Sequence, residues 1–342
     1  MTKTHPAVRG LVLLTAAYAL ALIVYVVLRF TLRDTLWWLA FLHNFAPYYF
    51  APLLVLIPLL LMARARRAAV RLLPLLLIGL FLFGPRWLPR PALVNAEEGQ
   101  AIKLVSFNVL VLTEDYTRIT QWLRDTDADV ILLQEIDHWE IPDVIEVMAD
   151  EYPYSVNLEQ TYKLALSRYP VRETELVDLG AWLIERYVLD VEGQALAVYN
   201  MHMHLPLLNE PRFEGIAPGG MAQLALQYDE FHRNNLIRRL LEIVADETLP
   251  YIVAGDFNTS DNALIYDEMA AVMHDSFRET NTGLGTTWPA AAGDDPLPAD
   301  IPPLLRIDYV WHSADLRALA TEIGPDLGSD HLPVVATLVF QR

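Results

Sequence analysis

The sequence predicts an α/β domain, with sheets in the middle and helices outside, preceded by membrane-spanning helices. Three observations lead there. From Ala101 onward, short apolar runs alternate with stretches of helical periodicity. Before that point lie three long apolar runs. The charge divides at the same place: residues up to Gln100 hold ten Lys/Arg and three Asp/Glu, and the remainder hold fifteen and forty, or +7 against −25. The implied organisation is a membrane anchor over 1–90, a linker over 91–100 and a soluble domain over 101–342. Cysteine is absent, which excludes disulfides, thiolate metal sites and a cysteine nucleophile.

Gly10 to Leu28 is uncharged and close to the roughly 20 residues a helix needs to cross hydrocarbon. Leu36 to Met62 is a second run, opened by Trp37 and Trp38, with Pro47, Pro52 and Pro58 as candidate kinks. The third, starting at Leu72, spans only if it extends through Gly84, Pro85 and Arg86 to about Leu88. No small-residue cleavage pattern follows Leu28, so a signal peptide is the poorer reading. "ARARRAAVR", residues 63–71, places four arginines between the second and third runs and reads as a cytoplasmic loop. With three crossings the acidic domain lies outside the cytoplasm; if the third run does not cross, the domain is cytoplasmic. "RPALVNAEEGQ" reads as the linker.

In the acidic domain, "IKLVSF" reads as a strand ending at Asn108, and "RITQWLRD" as a helix facing inward with Ile119, Trp122 and Leu123. "DVILLQ" is a strand ending at Glu135, and "QALAVYNMH" runs into His202 and His204. "NLIRRLLEIV" puts Ile237, Leu240, Leu241 and Val244 on one helical face, leaving Arg233, Arg238 and Arg239 as a solvated face. "YIVA" ends at Gly255 and Asp256, "LLRIDYVWH" carries Asp308 inside an apolar run, and "PVVATLVF" closes the domain.

Polar residues collect where these strands stop. Asn108, Glu135, Asp256 and Asn258 lie at or just past C-terminal strand ends. Each alone has an ordinary reading: a turn after a strand, a solvated carboxylate, or an N-cap within "GDFNTSD" at Thr259, Ser260 or Asp261. Together they form one rim of carboxylates, which repel one another unless a cation joins them. Oxygen donors select a hard cation, Mg²⁺ before Mn²⁺ or Ca²⁺. Asp308 amid Ile, Tyr, Val and Trp needs a partner if buried. Asp330 and His331 are adjacent and can serve one site only from a turn, which Gly328 and Pro333 allow.

These pieces resemble the endonuclease/exonuclease/phosphatase superfamily. In order they are "SFNV", "LLQEI", "LALSRYPV", "YNMHMHL", "AGDFNTS", "TTWP", "RIDYVWH" and "GSDHLPV", and they cover nearly all of Ala101 to Arg342. The resemblance implies a four-layered α/β sandwich and hydrolysis of a phosphoester by water with a divalent metal. It implies Glu135 as principal metal ligand, with Asn108 and Asp330 completing the shell. Asp256 would orient or deprotonate the water, and Asn258 would hold phosphate or water beside it. His331 would contact the phosphate opposite the attack, held by Asp308. The family pattern Asn-x-His fits Asn200-Met201-His202 better than His204, and both remain candidates. Trp288 is a candidate pocket wall, and Arg168 reads as scaffold.

The family acts on nucleic acids, lipid headgroups and soluble phosphates, so the substrate must be read elsewhere. A domain near −25 lacks the basic footprint of a nucleic-acid binder. Tethering at a bilayer favours a lipid headgroup or a small phosphoester. The alternatives are a nuclease and a non-catalytic membrane-bound binding protein of the same fold. Pro206 to Met221, with three glycines, reads as a lid beside the site. No protein partner is inferable.

Overall fold

The structure, a computed structural model, describes residues 5–88, 100–113, 115–158, 161–180, 182–207, 226–290 and 301–341. The expected linker, Gln100 apart, and the body of the expected lid lie outside them. The chain divides into two compact units, one of residues up to Leu88 with Asn262–Leu264, the other of the remainder.

In the first unit, Pro6–Thr31 (26 residues, mean hydropathy 2.7) and Arg66–Trp87 (22 residues, 2.0) are long and apolar enough to cross a membrane. The middle run is broken. Trp37–His43 and Ala46–Met62 meet at a bend of 74° and amount to a third span only if taken together. The break has a local cause: the Asn44 amide donates to the carbonyls of Ala40 and Phe41, and Pro47 opens the next helical segment. The third run, the weakest by sequence, is continuous because its arginine-rich start joins the helix and its end tightens into a 3₁₀ turn, Gly84–Trp87. Leu13, Leu14, Leu77 and Phe81 point outward, 65–81% exposed.

The second unit is a sandwich of two six-stranded sheets. Its strands are β1 (Ala101–Asn108), β2 (Val130–Gln134), β3 (Tyr154–Val156), β4 (Lys163–Ser167), β5 (Val171–Asp178), β6 (Leu183–Val191), β7 (Gln194–His202), β8 (Tyr251–Asp256), β9 (His274–Asp275), β10 (Asp308–His312), β11 (Leu316–Ile323) and β12 (Val334–Phe340). The orders are β11-β12-β1-β2-β4-β3 and β5-β6-β7-β8-β10-β9. Each sheet holds one parallel pair near its centre, β1/β2 and β7/β8, and is otherwise antiparallel.

The central strands are buried on both faces, so alternation gives way to continuous apolar runs. Leu104, Leu132, Val198 and Ile252 pack between the sheets. Their neighbours Val105, Phe107, Ile131 and Leu133 face the other way, onto helices Thr117–Thr126 and Ile141–Met148 through Ile119, Leu123 and Val144. Helix Phe231–Ala245 buries Leu236, Ile237, Leu240, Leu241 and Val244, and burying such a side chain fully contributes roughly 1.5–3 kcal/mol. These layers form the expected α/β sandwich. One reading of that helix is corrected. Arg238 and Arg239 are solvated and pair with Glu268 and Glu242, but Arg233 is 1% exposed and points inward.

Candidate active site

The two parallel pairs define the site, because parallel neighbours bring successive C-terminal strand ends to one edge. Asn108 is opposite Gln134 in the first sheet, and His202 is opposite Asp256 in the second. Glu135 follows Gln134 with φ +53°, a turn that lifts its side chain out of the ladder. The Asn108 amide donates to Glu135 Oε1 at 2.9 Å and to Asp256 Oδ2 at 3.2 Å, joining the sheets. His202 Nε2 lies 3.3 Å from Glu135 Oε1 and 3.9 Å from Asp256 Oδ2.

The antiparallel strand β10 brings the second half. Asp308 sits directly opposite Asp256. Its carboxylate faces His331 Nδ1 at 3.0 and 3.1 Å, which fixes the proton on Nδ1 and turns Nε2 toward Asp256 Oδ2, 3.7 Å away. The bend before β12, with Gly328 at φ +99°, supplies the expected turn. Ser329 ties it down: its hydroxyl donates to the Asn108 carbonyl at 2.7 Å and accepts the His331 N–H at 3.1 Å.

The electrostatics follow from crowding. Burial pushes the Asp256 carboxyl up to about 8; Asp308 and Glu135 add to this, while His331 and the Asn258 N–H oppose it. Burial also raises Glu135, but His202, the Asn108 amide and His331 outweigh it and hold this group below the usual carboxylate range. Burial lowers His202 to about 4 despite Glu135. His331 is the reverse: burial would lower it, and the Asp308, Asp330 and Asp256 carboxylates hold it well above an ordinary histidine. Glu135, His202 and Asp256 each offer a ligand atom within 4.8 Å of the others, as do Asp256, Asp308 and His331. Carboxylates with an amide and one imidazole are a donor set that suits Mg²⁺ or Mn²⁺.

Asn108, Glu135, His202, Asp256, Asp308 and His331 are thus brought together. Asp330 lies at the edge of this group, 3.9 Å from His331 Nε2, and its other oxygen accepts from Trp288 Nε1 at 3.3 Å. Trp288 therefore borders the site. The Asn258 side-chain amide is turned into the scaffold, donating to the Met203 carbonyl at 2.8 Å, while its N–H holds Asp256 Oδ1 at 2.7 Å. His204 is separated from the cluster. Strand β7 ends at His202, and the His204 ring packs against Trp182 and His232 with its Nδ1 facing the Leu205 carbonyl.

Beneath the rim lie polar residues that pattern reading did not single out. The Gln134 amide donates to Asn200 Oδ1 at 2.8 Å across the two sheets. Buried Glu185 accepts from Thr161 and Tyr187, and buried Lys163 is lowered to about 8 by desolvation. The only signal was a polar letter inside an otherwise apolar strand.

Gly255 makes room for this arrangement. It has φ +143°, and a Cβ there would stand 1.9 Å from the Met201 carbonyl oxygen. Gly255→Ala is expected to destabilise the protein by on the order of 3 kcal/mol through strain and overpacking. A thermal melt checks this, and an unchanged Tm would refute the close approach of β7 and β8.

No curated protein matches the chain. Among solved structures it is similar to an endonuclease/exonuclease/phosphatase from Bacteroides vulgatus (18% identity, 71% of this chain and 100% of that one, TM-score 0.53). It is also similar to a protein of that family from Bacteroides thetaiotaomicron (16%, 71% and 96%, 0.54) and to TDP2 from C. elegans (16%, 72% and 78%, 0.53). At such identities the likeness establishes the fold. The model of the Endonuclease/Exonuclease/phosphatase family matches residues 105–331, and the chain belongs to this family, whose members are hydrolases acting on phosphoester bonds and generally depend on a divalent metal.

Proposed function

We propose that this chain is a membrane-anchored, Mg²⁺-dependent phosphoester hydrolase acting on a lipid headgroup or a small phosphoester. The observation that carries the chemistry is the convergence of Asn108, Glu135, His202 and Asp256 with the Asp308–His331 pair. Glu135 would hold the metal, with Asn108 and Asp330 completing the shell directly or through water; Mn²⁺ suits the same donors. When bound, the ion supplies positive charge to the nonbridging oxygens of the phosphoester. Asp256, held through Oδ1 by the Asn258 N–H, orients the attacking water and takes its proton as the new P–O bond forms. The P–O bond to the leaving oxygen breaks, and that oxygen is protonated from solvent. His331, kept cationic and aimed by Asp308, donates from Nε2 to the phosphate as charge builds there. His202 contacts the same group from the β7 side. Asn258 acts through its N–H on Asp256, and Trp288, hydrogen-bonded to Asp330, walls the pocket.

Two features support the membrane and the substrate class. The outward Leu13, Leu14, Leu77 and Phe81 make an apolar exterior of the kind lipid covers. The anchor would occupy 1–90 and the catalytic domain 101–342, outside the cytoplasm by the arginines clustered at 64–71 between the second and third apolar runs. Arginines of the domain are engaged by its own acids: Arg124 by Glu151, Arg172 by Asp190, Arg186 by Glu247, Arg238 by Glu268. That leaves little of the basic strip a nucleic-acid backbone requires. The test sets the full chain, in mixed micelles with Mg²⁺, against phospholipids and plasmid DNA. Headgroup release without nicking is expected, and nicking without headgroup release would favour the nuclease reading instead.

A further inference from the structure

We infer that Arg233 is a positioning residue for the hydrolysis proposed above, acting through the backbone of Asn258. The inference rests on that functional reading. Arg233 stands at the start of helix Phe231–Ala245, 1% exposed. One guanidinium nitrogen donates to the Asn258 carbonyl. Another donates to Glu230 Oε2 at 3.2 Å and to Asn234 Oδ1 at 2.9 Å, and Nε also reaches Asn234 Oδ1 at 3.2 Å. Glu230 is itself fixed by the Tyr228 hydroxyl at 3.0 Å. A buried arginine so fully engaged, aimed at one main-chain oxygen, is a clamp.

What it clamps matters for the chemistry. Asn258 has φ +49°, a left-handed conformation that asparagine tolerates better than most residues and that its contacts select here. That conformation delivers the Asn258 N–H to Asp256 Oδ1 at 2.7 Å. The side-chain amide pins one side of the residue to Met203, and Arg233 pins the carbonyl on the other. Without the guanidinium the turn relaxes, and the Asp256 carboxylate loses the donor that sets its rotation. Among the described residues, buried Lys163 faces the carbonyls of Thr161 and Leu183, and buried Arg306 the carboxylates of Asp275 and Asp261, so neither holds the Asn258 carbonyl.

The test compares Arg233→Ala, Arg233→Lys and Leu240→Ala in the full chain. Leu240 lies on the same helix, fully buried in its apolar face, so its variant reports a loss of packing. With bis-p-nitrophenyl phosphate and Mg²⁺, Arg233→Ala is expected to lose about 10- to 100-fold in kcat, the scale of a small misplacement of a catalytic group, with KM and Mn²⁺ affinity unchanged. Arg233→Lys recovers part of that loss, and Leu240→Ala lowers Tm while keeping kcat. Wild-type kcat in Arg233→Ala, or equal kcat losses in Arg233→Ala and Leu240→Ala, would overturn the assignment. If Asp256→Asn in the same assay keeps wild-type activity, or the wild type is inert, the functional reading itself fails, and the inference with it.

Discussion

Glu135→Gln is expected to lower kcat on the order of 10³-fold and to cost a little stability at neutral pH, because the native carboxylate is held below its usual range and that stabilisation goes with the charge. The two halves come from one feature. Glu135 and Asp256 both press against the Asn108 amide, within reach of His202, and Asp256 is raised by burial, with Asp308 and Glu135 adding to it. Removing the Glu135 charge gives up its contacts with the Asn108 amide and His202, which favour the carboxylate. The same change deletes the strongest oxygen donor of the rim, and with it the charge that neutralises the phosphoester; a 10³-fold loss corresponds to about 4 kcal/mol of transition-state stabilisation. Activity, Mn²⁺ titration and a thermal melt together check this. A variant with near-normal turnover would remove Glu135 from the mechanism, and one that merely unfolds would make its role structural.

Arg306 carries the second large effect, on stability. It is 2% exposed and forks onto Asp275 at 2.6 and 3.0 Å, with Asp261 at 3.4 Å and the Tyr309 ring beneath, 4.6 Å from the guanidinium carbon. Asp275 also caps helix Ser276–Thr280 by accepting from the N–H groups of Phe277 and Arg278. Breaking such a pair from one side strands a buried carboxylate, so Arg306→Met is expected to cost about 3–5 kcal/mol. The pH dependence has a definite sign. Burial raises the Asp275 carboxyl, but Arg306 and its hydrogen bonds outweigh this and hold it below the usual range. A lowered carboxyl contributes stability that is present above its unfolded value, about 3.9, and is lost as pH falls through the folded one. The gap in Tm between wild type and Arg306→Met should therefore narrow below about pH 4. A gap independent of pH would show that the cost is packing.

Most of the site can be read from the sequence because strand ends are local. Asn108, Glu135 and Asp256 each terminate an apolar run, and an acid inside "LLRIDYVWH" needs a partner wherever the chain goes; His331 supplies it. The choice between His202 and His204 was less accessible. Two positions apart on one strand are equivalent until the strand is known to stop, and here it stops at His202. Arg233 was misread for a related reason. Helical periodicity tells which side faces the core from apolar letters, and an arginine buried by Glu230, Asn234 and a neighbouring carbonyl carries no such letter. Gln134 and Asn200 meet across the sandwich, a contact set by the stacking of two sheets and by no spacing within either. The broken middle helix of the first unit lies between these cases. Its prolines announced a kink, but the 74° bend depends on Asn44 capping the preceding turn.

The central claim is that this rim hydrolyses phosphoesters with a divalent metal held at Glu135. The most direct measurement is release of p-nitrophenol from bis-p-nitrophenyl phosphate by the full chain, first stripped with a chelator and then supplied with Mg²⁺, beside Glu135→Gln. The account predicts no turnover without metal, full recovery on adding it, and in the variant a kcat on the order of 10³-fold lower even with metal. Turnover that survives the chelator, or near-wild-type turnover in Glu135→Gln, would contradict it.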